Sequence, residues 1–509
     1  MALFKEANRK WWILFAMTSC ISMIFVDVTV LPVALPTIER QFNSSVAALQ
    51  WIINGYTLAL SVFVLAGGKM GDIWGHRRTF CLGLFLFAIS SAFCGISPNM
   101  SAFIASRVLQ GIGGAILIPT TSAILFTNFP SHQRGKAMGL YVSIGSIFLA
   151  FGPFLGGSLT EYFSWRMIFF INLPIATLGF TLAMLSVPKT EGKKHSFDTV
   201  GFITLALGLS AIIISLMEGN SWGWTSFKTI GLLLLGIGSI TALILTEREV
   251  KHPLIEFHLY KNKVFLGANT SIFFTQLQIG ATVFWAIYLQ NVLGYSPSEA
   301  GVLGFLSNTP IFVMAPLSGM LVDKYGPKIP VISGFILLFV ALILFVCNPS
   351  PNLSYLFLIL LPYGCGIPLI FTPSFTSAMA QVDDAKRGMV SAMTSCVRQC
   401  STTLGIALFT ALFVSRNTTL FSSLLESNMA TKGIDPTAFT GLVSQTPDSL
   451  AALHAEPLSS TAFILEYSKE AYISAFTLVN IAAAIFTLIG LALAIFLFAK
   501  AKAAVNSKN

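Results

Sequence analysis

The feature that most constrains this chain is a succession of apolar stretches, each long enough to cross a lipid bilayer. A spanning helix needs about 20 mostly apolar residues. Fourteen such stretches can be read, at roughly 12–35, 47–68, 79–97, 101–124, 137–160, 166–187, 199–217, 229–246, 265–290, 298–321, 329–347, 354–379, 389–413 and 471–499. Backbone N–H and C=O groups in hydrocarbon must be satisfied within their own segment, so each stretch reads as helix. The composition agrees: 55% of residues are hydrophobic and 10% charged, where a soluble chain has nearer a quarter charged. A water-surfaced domain, a disordered chain and a disulfide scaffold are excluded. The loops are mostly short and leave no room for a soluble catalytic domain.

Charge sets the expected orientation. Lys and Arg number 30 against 21 Asp and Glu, a net charge of +9. With both termini placed in the cytoplasm, only Arg40, Arg166, Lys228, Arg416, Lys432 and Lys469 fall outside or at the outer rim, and Arg107 and Arg398 fall within spans. The remaining basic residues lie inside, as the positive-inside rule requires. Basic loops facing anionic lipid account for the net charge without a nucleic-acid partner. The first span is too long for a cleaved signal peptide and carries Asp27. The expected location is therefore a membrane crossed many times, with both termini in the cytoplasm. The cysteines sit in or beside spans and read as small apolar packers.

The chain also repeats itself. Gly68, Asp72, Gly75 and Arg77 recur as Gly319, Asp323, Gly326 and Lys328, each 251 residues later. Gly111, Gly113, Arg134 and Gly152 recur as Gly364, Gly366, Arg387 and Gly405, each 253 later. Parallel repeats of this kind build transporters with alternating access, with the substrate path between the halves near mid-membrane. The expected fold is all-α: two six-helix bundles in a pseudo-two-fold arrangement, 1–188 and 263–509, joined by two additional transmembrane helices within 189–262. The inserted pair reads as a lipid-facing spacer. The segment 414–470, with Gly433, Pro436, Pro447 and Pro457, reads as a solvated outside flap, with docking of a periplasmic adaptor as the alternative.

Ionisable groups in a span are costly and are functional candidates by default. Asp27 is the one acid expected well within a span, and its repeat equivalent is Gln278. Low dielectric penalises the ionised form of a carboxylate, so an acid there can take up and release a proton during a cycle. A cationic substrate competing for the same group gives antiport directly. Arg107, in Arg107-Val-Leu-Gln110-Gly111, is placed to tune Asp27 by contact or through water. Arg398 with Gln399, in the thirteenth span, favours anionic or zwitterionic substrate groups. Trp51, Asn54, Tyr56, Gln276, Gln278, Trp285 and Tyr288 are expected to line the cavity, where aromatic faces and amides suit lipophilic ligands; core packing is the competing role for each. The glycine-rich loop Gly68-Lys-Met-Gly71-Asp72-Ile-Trp-Gly75-His76-Arg77 reads as a charged clasp, and Gly152-Pro153-Phe-Leu-Gly156-Gly157 as a pliable gating helix.

These motifs resemble the major facilitator superfamily. Residues 68–78 resemble its signature loop between spans two and three. The segment Arg107 to Gly114 resembles a fourth-span motif linked to proton transfer, and Gly152 to Gly157 a fifth-span motif of antiporters. Asp27-Val-Thr-Val-Leu-Pro-Val-Ala-Leu-Pro36, Trp51 to Tyr56, and Trp165-Arg-Met-Ile-Phe-Phe-Ile-Asn-Leu-Pro174 are similar to the fourteen-span drug:proton antiporter branch, the EmrB/QacA type. The resemblance implies proton-driven export of amphipathic or lipophilic compounds by a single chain, the partners being the small-molecule substrate, protons and the bilayer. Two departures stand out: Pro32 where the branch usually has Asn, and His76 where Arg is common. A dedicated exporter of one natural product is the alternative. A nutrient symporter is disfavoured by the fifth-span Gly-Pro pattern. An ATP-driven pump or an enzyme is disfavoured by the lack of a G-x-x-x-x-G-K-[ST] loop and of any His within a span; no cofactor or metal is expected.

Overall fold

A computed structural model describes residues 6–44, 46–130, 133–189, 198–247, 255, 257–348, 351–382, 387–428, 431, 434–439, 442–443 and 447–499. The side chains of Asp72 and Asp323, two of the expected gating residues, lie outside the described residues. The described helices are α1 (Glu6–Phe42), α2 (Val46–Trp74), α3 (His76–Ile96), α4 (Met100–Asn128), α5 (Arg134–Tyr162), α6 (Met167–Phe170), α7 (Asn172–Ser186), α8 (Thr199–Trp222), α9 (Phe227–Thr246), α10 (Lys263–Ile279), α11 (Thr282–Asn291), α12 (Pro297–Asn308), α13 (Ile311–Tyr325), α14 (Lys328–Cys347), α15 (Leu353–Met379), α16 (Arg387–Ser427), α17 (Pro447–Ala455) and α18 (Leu458–Leu497). Among the described residues, 14 spans are long and apolar enough to cross a membrane, with α6–α7, α10–α11 and α12–α13 each forming one broken span. Large apolar side chains such as Phe85, Leu234, Val313 and Phe496 stand exposed on the perimeter. A surface of that kind needs an apolar solvent around it.

Local chemistry sets the helix ends. Asn99 caps α4 by accepting from Ala102 N, and Asn352, its repeat equivalent, caps α15 by accepting from Tyr355 N, both at 2.9 Å. Ser296 and Glu299 close a capping box on α12. Gly75 and Gly326, also repeat equivalents, hold φ at 90° and 77° at the turn that follows α2 and α13. In that region only glycine avoids a steric penalty.

Between apolar helices in lipid there is little hydrophobic driving force, so close backbone approach carries the packing. The repeats solve this in the same way twice. A Cβ at Gly111 would strike the Tyr56 carbonyl of α2, and one at Gly364 would strike the Ser307 carbonyl of α12. One at Gly113 would lie 3.0 Å from Gly83 O, and one at Gly366 2.8 Å from Gly334 O. Each partner pair is again one repeat apart.

Helices α1–α7 pack chiefly on one another, as do α10, α14–α16 and α18. The first set meets the second half of the chain along α5 and α12, α2 and α16, and α1 and α11. At the end where α5 finishes and α12 begins, Gly157 abuts Pro297 and Ser298, Gly301 abuts the Pro153 carbonyl, Gln290 Nε2 donates to Val33 O (2.9 Å), and Ser298 N donates to the Glu161 carboxylate (2.9 Å).

Two expectations from sequence are corrected. The inserted pair is not merely a lipid-facing spacer. Only α9 turns most of its surface outward; α8 packs against both α2 and α16. Its polar residues explain this: Glu218 accepts from Trp51 Nε1 (2.8 Å), and Asn220 donates to Ala411 O (2.8 Å). The segment 414–470 is not simply a solvated flap. Helix α16 runs on to Ser427, α18 starts at Leu458, and Phe421, Leu425, Phe439, Leu442, Leu453 and Ile464 form a small apolar core between them.

Candidate functional site

Asp27 sits mid-way along α1, 1% exposed, and Arg107 on α4 reaches it through Nη1 at 2.7 Å. Gln110, one turn after Arg107, completes the group: its Nε2 donates to the other Asp27 oxygen at 3.0 Å, and its Oε1 accepts from Arg107 Nη1 at 2.6 Å. Arg107 Nε donates to the Ile52 carbonyl, and the guanidinium lies 4.1 Å from the Tyr56 ring centroid, so α2 supplies both a dipole and a π face. A second layer fixes Gln110. Ser91 Oγ accepts from Gln110 Nε2 (3.3 Å) and from Asn172 Nδ2 (3.0 Å), and itself donates to Phe169 O (2.9 Å). An ion pair out of water is sustained only when geometry and extra hydrogen bonds offset its desolvation, and here six helices, α1–α4, α6 and α7, provide them.

The second half holds the neutral counterpart. Tyr363 and Gln278 stand at the repeat equivalents of Gln110 and Asp27, and the Tyr363 hydroxyl donates to Gln278 Oε1 at 3.3 Å. One half of the molecule thus carries a buried charge pair where the other carries a phenol and an amide.

The model of the Major Facilitator Superfamily matches residues 17–406. The chain belongs to that superfamily. It is a multi-pass membrane transporter, not an enzyme. It is 30% identical over 397 residues to the multidrug resistance protein Stp of Mycobacterium tuberculosis (strain CDC 1551 / Oshkosh), covering 76% of this chain and 72% of that one. It is 31% identical over 416 residues to the tetracenomycin C resistance and export protein of Streptomyces glaucescens, covering 80% and 77%. Among solved structures, a bacterial homologue of the human lysosomal transporter Spinster, inward-facing and unoccupied, superposes with a TM-score of 0.59 at 15% identity over 96% of this chain and 98% of that one. A peptide transporter, POT, gives 0.61 at 17% identity over 96% and 95%. These structural neighbours speak for the fold.

Within this major facilitator chain the other expected site residues divide into three groups. The first is spent on packing. Trp51 bonds Glu218, and Asn54 Nδ2 donates to Met217 Sδ (3.1 Å), so both face α8 rather than a cavity. Trp285 Nε1 donates to Asn480 Oδ1 (3.1 Å), and its ring packs against Tyr363 and Phe345; the Tyr288 ring stacks on Phe476 at 4.0 Å. Tyr56 and Gln110 serve the Asp27 group. In this structure both Asp27 carboxylate oxygens are engaged, by Arg107 and Gln110 of α4.

The second group lies where the halves face each other. Gln276 accepts from Thr402 Oγ1 (3.1 Å), Arg398 lies 5.9 Å from the Phe371 ring, and Gln399 is half-buried beside it. The third is the glycine set. Gly68 faces Pro119, and Gly71 lies against the His76 ring. Arg77 does not reach the second half: its Nη atoms donate to Met184 O (2.7 Å) and Val187 O (2.9 Å), where a cation suits the helix C-terminus. Arg9 adds a bond to Ser186 O at 2.6 Å. Gly152 and Gly156 abut Thr29 and Val30 of α1, and Gly157 and Pro153 abut α12, so one helix carries close contacts on two sides.

Three groups escape the sequence reading. Glu39 is fully buried near the far end of α1, and Glu218 lies one residue past the expected end of its span, because both helices run further than their apolar cores. Ser91 and Asn172 carry no spacing signal that separates them from ordinary small polar residues, although Asn172 falls within the segment that resembles the drug-exporter branch.

Proposed function

We propose that the chain exports amphipathic or lipophilic organic compounds in exchange for protons, by alternating access between a first six-helix unit (1–188) and a second (263–509). The observation that carries this is the fully buried Asp27–Arg107 pair with Gln110 bridging it. A proton arriving at Asp27 removes the charge that holds Arg107, which must then find other acceptors or stay uncompensated. Both outcomes favour a different arrangement of α1 and α4. Helix α1 also packs closely on α5, and α5 on α12, so a change at Asp27 has a route of direct contacts to the seam between the halves. Coupling of this kind is indirect: proton and cargo bind different groups and compete through conformation. The positive-inside count puts the α5–α12 seam on the outer side, and its close contacts then describe a state closed to the outside. Export is favoured by relatives whose names denote multidrug resistance and antibiotic export.

The test is flux in proteoliposomes under an imposed pH gradient. The wild-type protein is expected to move a fluorescent amphiphile against the proton flow, and Asp27→Asn is expected to lose the gradient-driven component. Gradient-driven flux that persists in Asp27→Asn would sink the proposal. Export of one natural product is a second reading, favoured by the tetracenomycin C relative; a compound panel that finds a single transported scaffold would select it.

A further inference from the structure

Arg107 and Arg398 are the two arginines expected within spans, and the structure treats them oppositely. Arg107 has a carboxylate, an amide oxygen and a carbonyl as acceptors. Among the described residues the Arg398 guanidinium donates no hydrogen bond and joins no ion pair; it lies 5.9 Å from the Phe371 ring of α15 and within electrostatic reach of the Tyr141 phenol of α5, groups from opposite halves of the molecule. Tyr141 is itself engaged with Thr121 at 2.6 Å. One turn along α16, the Thr402 hydroxyl donates to Gln276 Oε1, which leaves the Gln276 amide N–H groups as free donors. The Gln399 amide also has no acceptor among the described residues. Among the described residues three side chains on α16 and α10 thus carry N–H donors without an acceptor, and the Phe371 ring beside Arg398 stacks on Phe375 with centroids 5.9 Å apart.

An uncompensated cation in a membrane interior is expensive and calls for an anion at some point in the cycle. Asp27 cannot serve in this arrangement, because both its oxygens are committed. We infer that Arg398, with the amides of Gln276 and Gln399, binds an acidic group of the cargo: a carboxylate or an acidic phenol on an aromatic body. A guanidinium fork matches a carboxylate in two parallel bonds, and the apolar remainder of the ligand has Phe371 and Phe375 to lie against. The inference rests on the export reading and narrows its substrate class from amphiphiles in general to organic acids.

The experiment uses the full-length protein in detergent with 1-pyrenebutyric acid and its methyl ester, which share the aromatic body and differ in the charge and one methyl group at the carboxyl end. Binding is read by energy transfer from the protein's 8 tryptophans. The wild type is expected to bind the acid roughly tenfold more tightly than the ester, the scale of one charge-assisted hydrogen bond. Arg398→Gln is expected to reduce that preference to about twofold or less, chiefly by weakening the acid, and Arg398→Lys to keep much of it. Equal affinities in the wild type would overturn the inference, as would a loss of acid and ester alike in both variants, which marks a structural role. Displacement of the acid by phosphatidylglycerol but not by phosphatidylcholine would assign the site to a lipid headgroup and overturn the cargo assignment. The outcomes separate from the proton reading: a wild type that shows Asp27-dependent gradient-driven flux but does not distinguish acid from ester sinks this inference alone.

Discussion

Arg107 donates to Asp27 at 2.7 Å from a helix that follows two whole spans later, and both residues are 1% exposed. The pair is asymmetric in what it can tolerate. A carboxylate left alone can take a proton and become neutral; a guanidinium cannot.

That asymmetry gives a pH-dependent prediction. Asp27→Asn leaves a buried, permanently charged Arg107 and is expected to cost about 3–5 kcal/mol of stability, with no recovery on acidification. Arg107→Gln leaves a buried carboxylate that protonation can neutralise. Its destabilisation is expected to be full at high pH and to shrink as pH falls, because the folded variant then binds a proton that the unfolded chain at that pH has not yet taken up. Thermal unfolding of both variants in detergent from pH 8 to pH 5 checks this; parallel curves would contradict it. The double variant Asp27→Asn/Arg107→Gln is expected to regain stability but not gradient-driven flux.

Close backbone approach in both repeats predicts matched sensitivity. Gly111→Ala and Gly364→Ala each drive a methyl group into a carbonyl of the neighbouring helix, and each is expected to cost about 1–3 kcal/mol. Gly231→Ala and Gly238→Ala on α9, with nothing within 4 Å of the added carbon, are expected to be neutral or slightly stabilising through helix propensity. Melting temperatures of the four variants decide it.

The contact of Gly157 with Pro297 and Ser298 joins the two halves at one end of the molecule. Gly157→Leu is expected to hold that end open and to reduce transport by tenfold or more while both halves stay folded. A cysteine placed at Ser298 should label faster with a membrane-impermeant maleimide in the Gly157→Leu background. Unchanged labelling with reduced transport would show that the seam is not what the substitution affects.

The inserted helix α8 is tied to both halves by polar contacts. Trp51→Phe and Glu218→Gln are each expected to cost about 1 kcal/mol, and a double-mutant cycle is expected to show that they act through one bond. Additive effects would mean that the 2.8 Å contact contributes nothing of its own.

The expected spans share their order and centres with the observed ones, and differ at the ends. Apolarity reports only the stretch that must sit in hydrocarbon; α1, α8, α16 and α18 continue beyond it wherever capping and packing carry the helix on. The glycine positions of the repeat were visible as spacing, yet which carbonyl each one admits was not. Tyr56, Trp51 and Trp285 show the same limit: an aromatic residue in a span reads equally as cavity wall or as packing, and only its neighbours choose.

Sequence alone determined that the chain crosses the membrane many times, that it is built from two related halves, and that one half carries an acid and an arginine where the other does not. These are properties of composition and spacing, which lipid and helix geometry translate without reference to distant contacts. Tertiary structure decided that Asp27 and Arg107 neutralise each other inside the first half, that α8 bridges α2 and α16, and that Arg398 has no acceptor among the described residues. Such outcomes depend on which faces of helices dozens to hundreds of residues apart turn toward one another, and a periodicity fixes a face without fixing its partner.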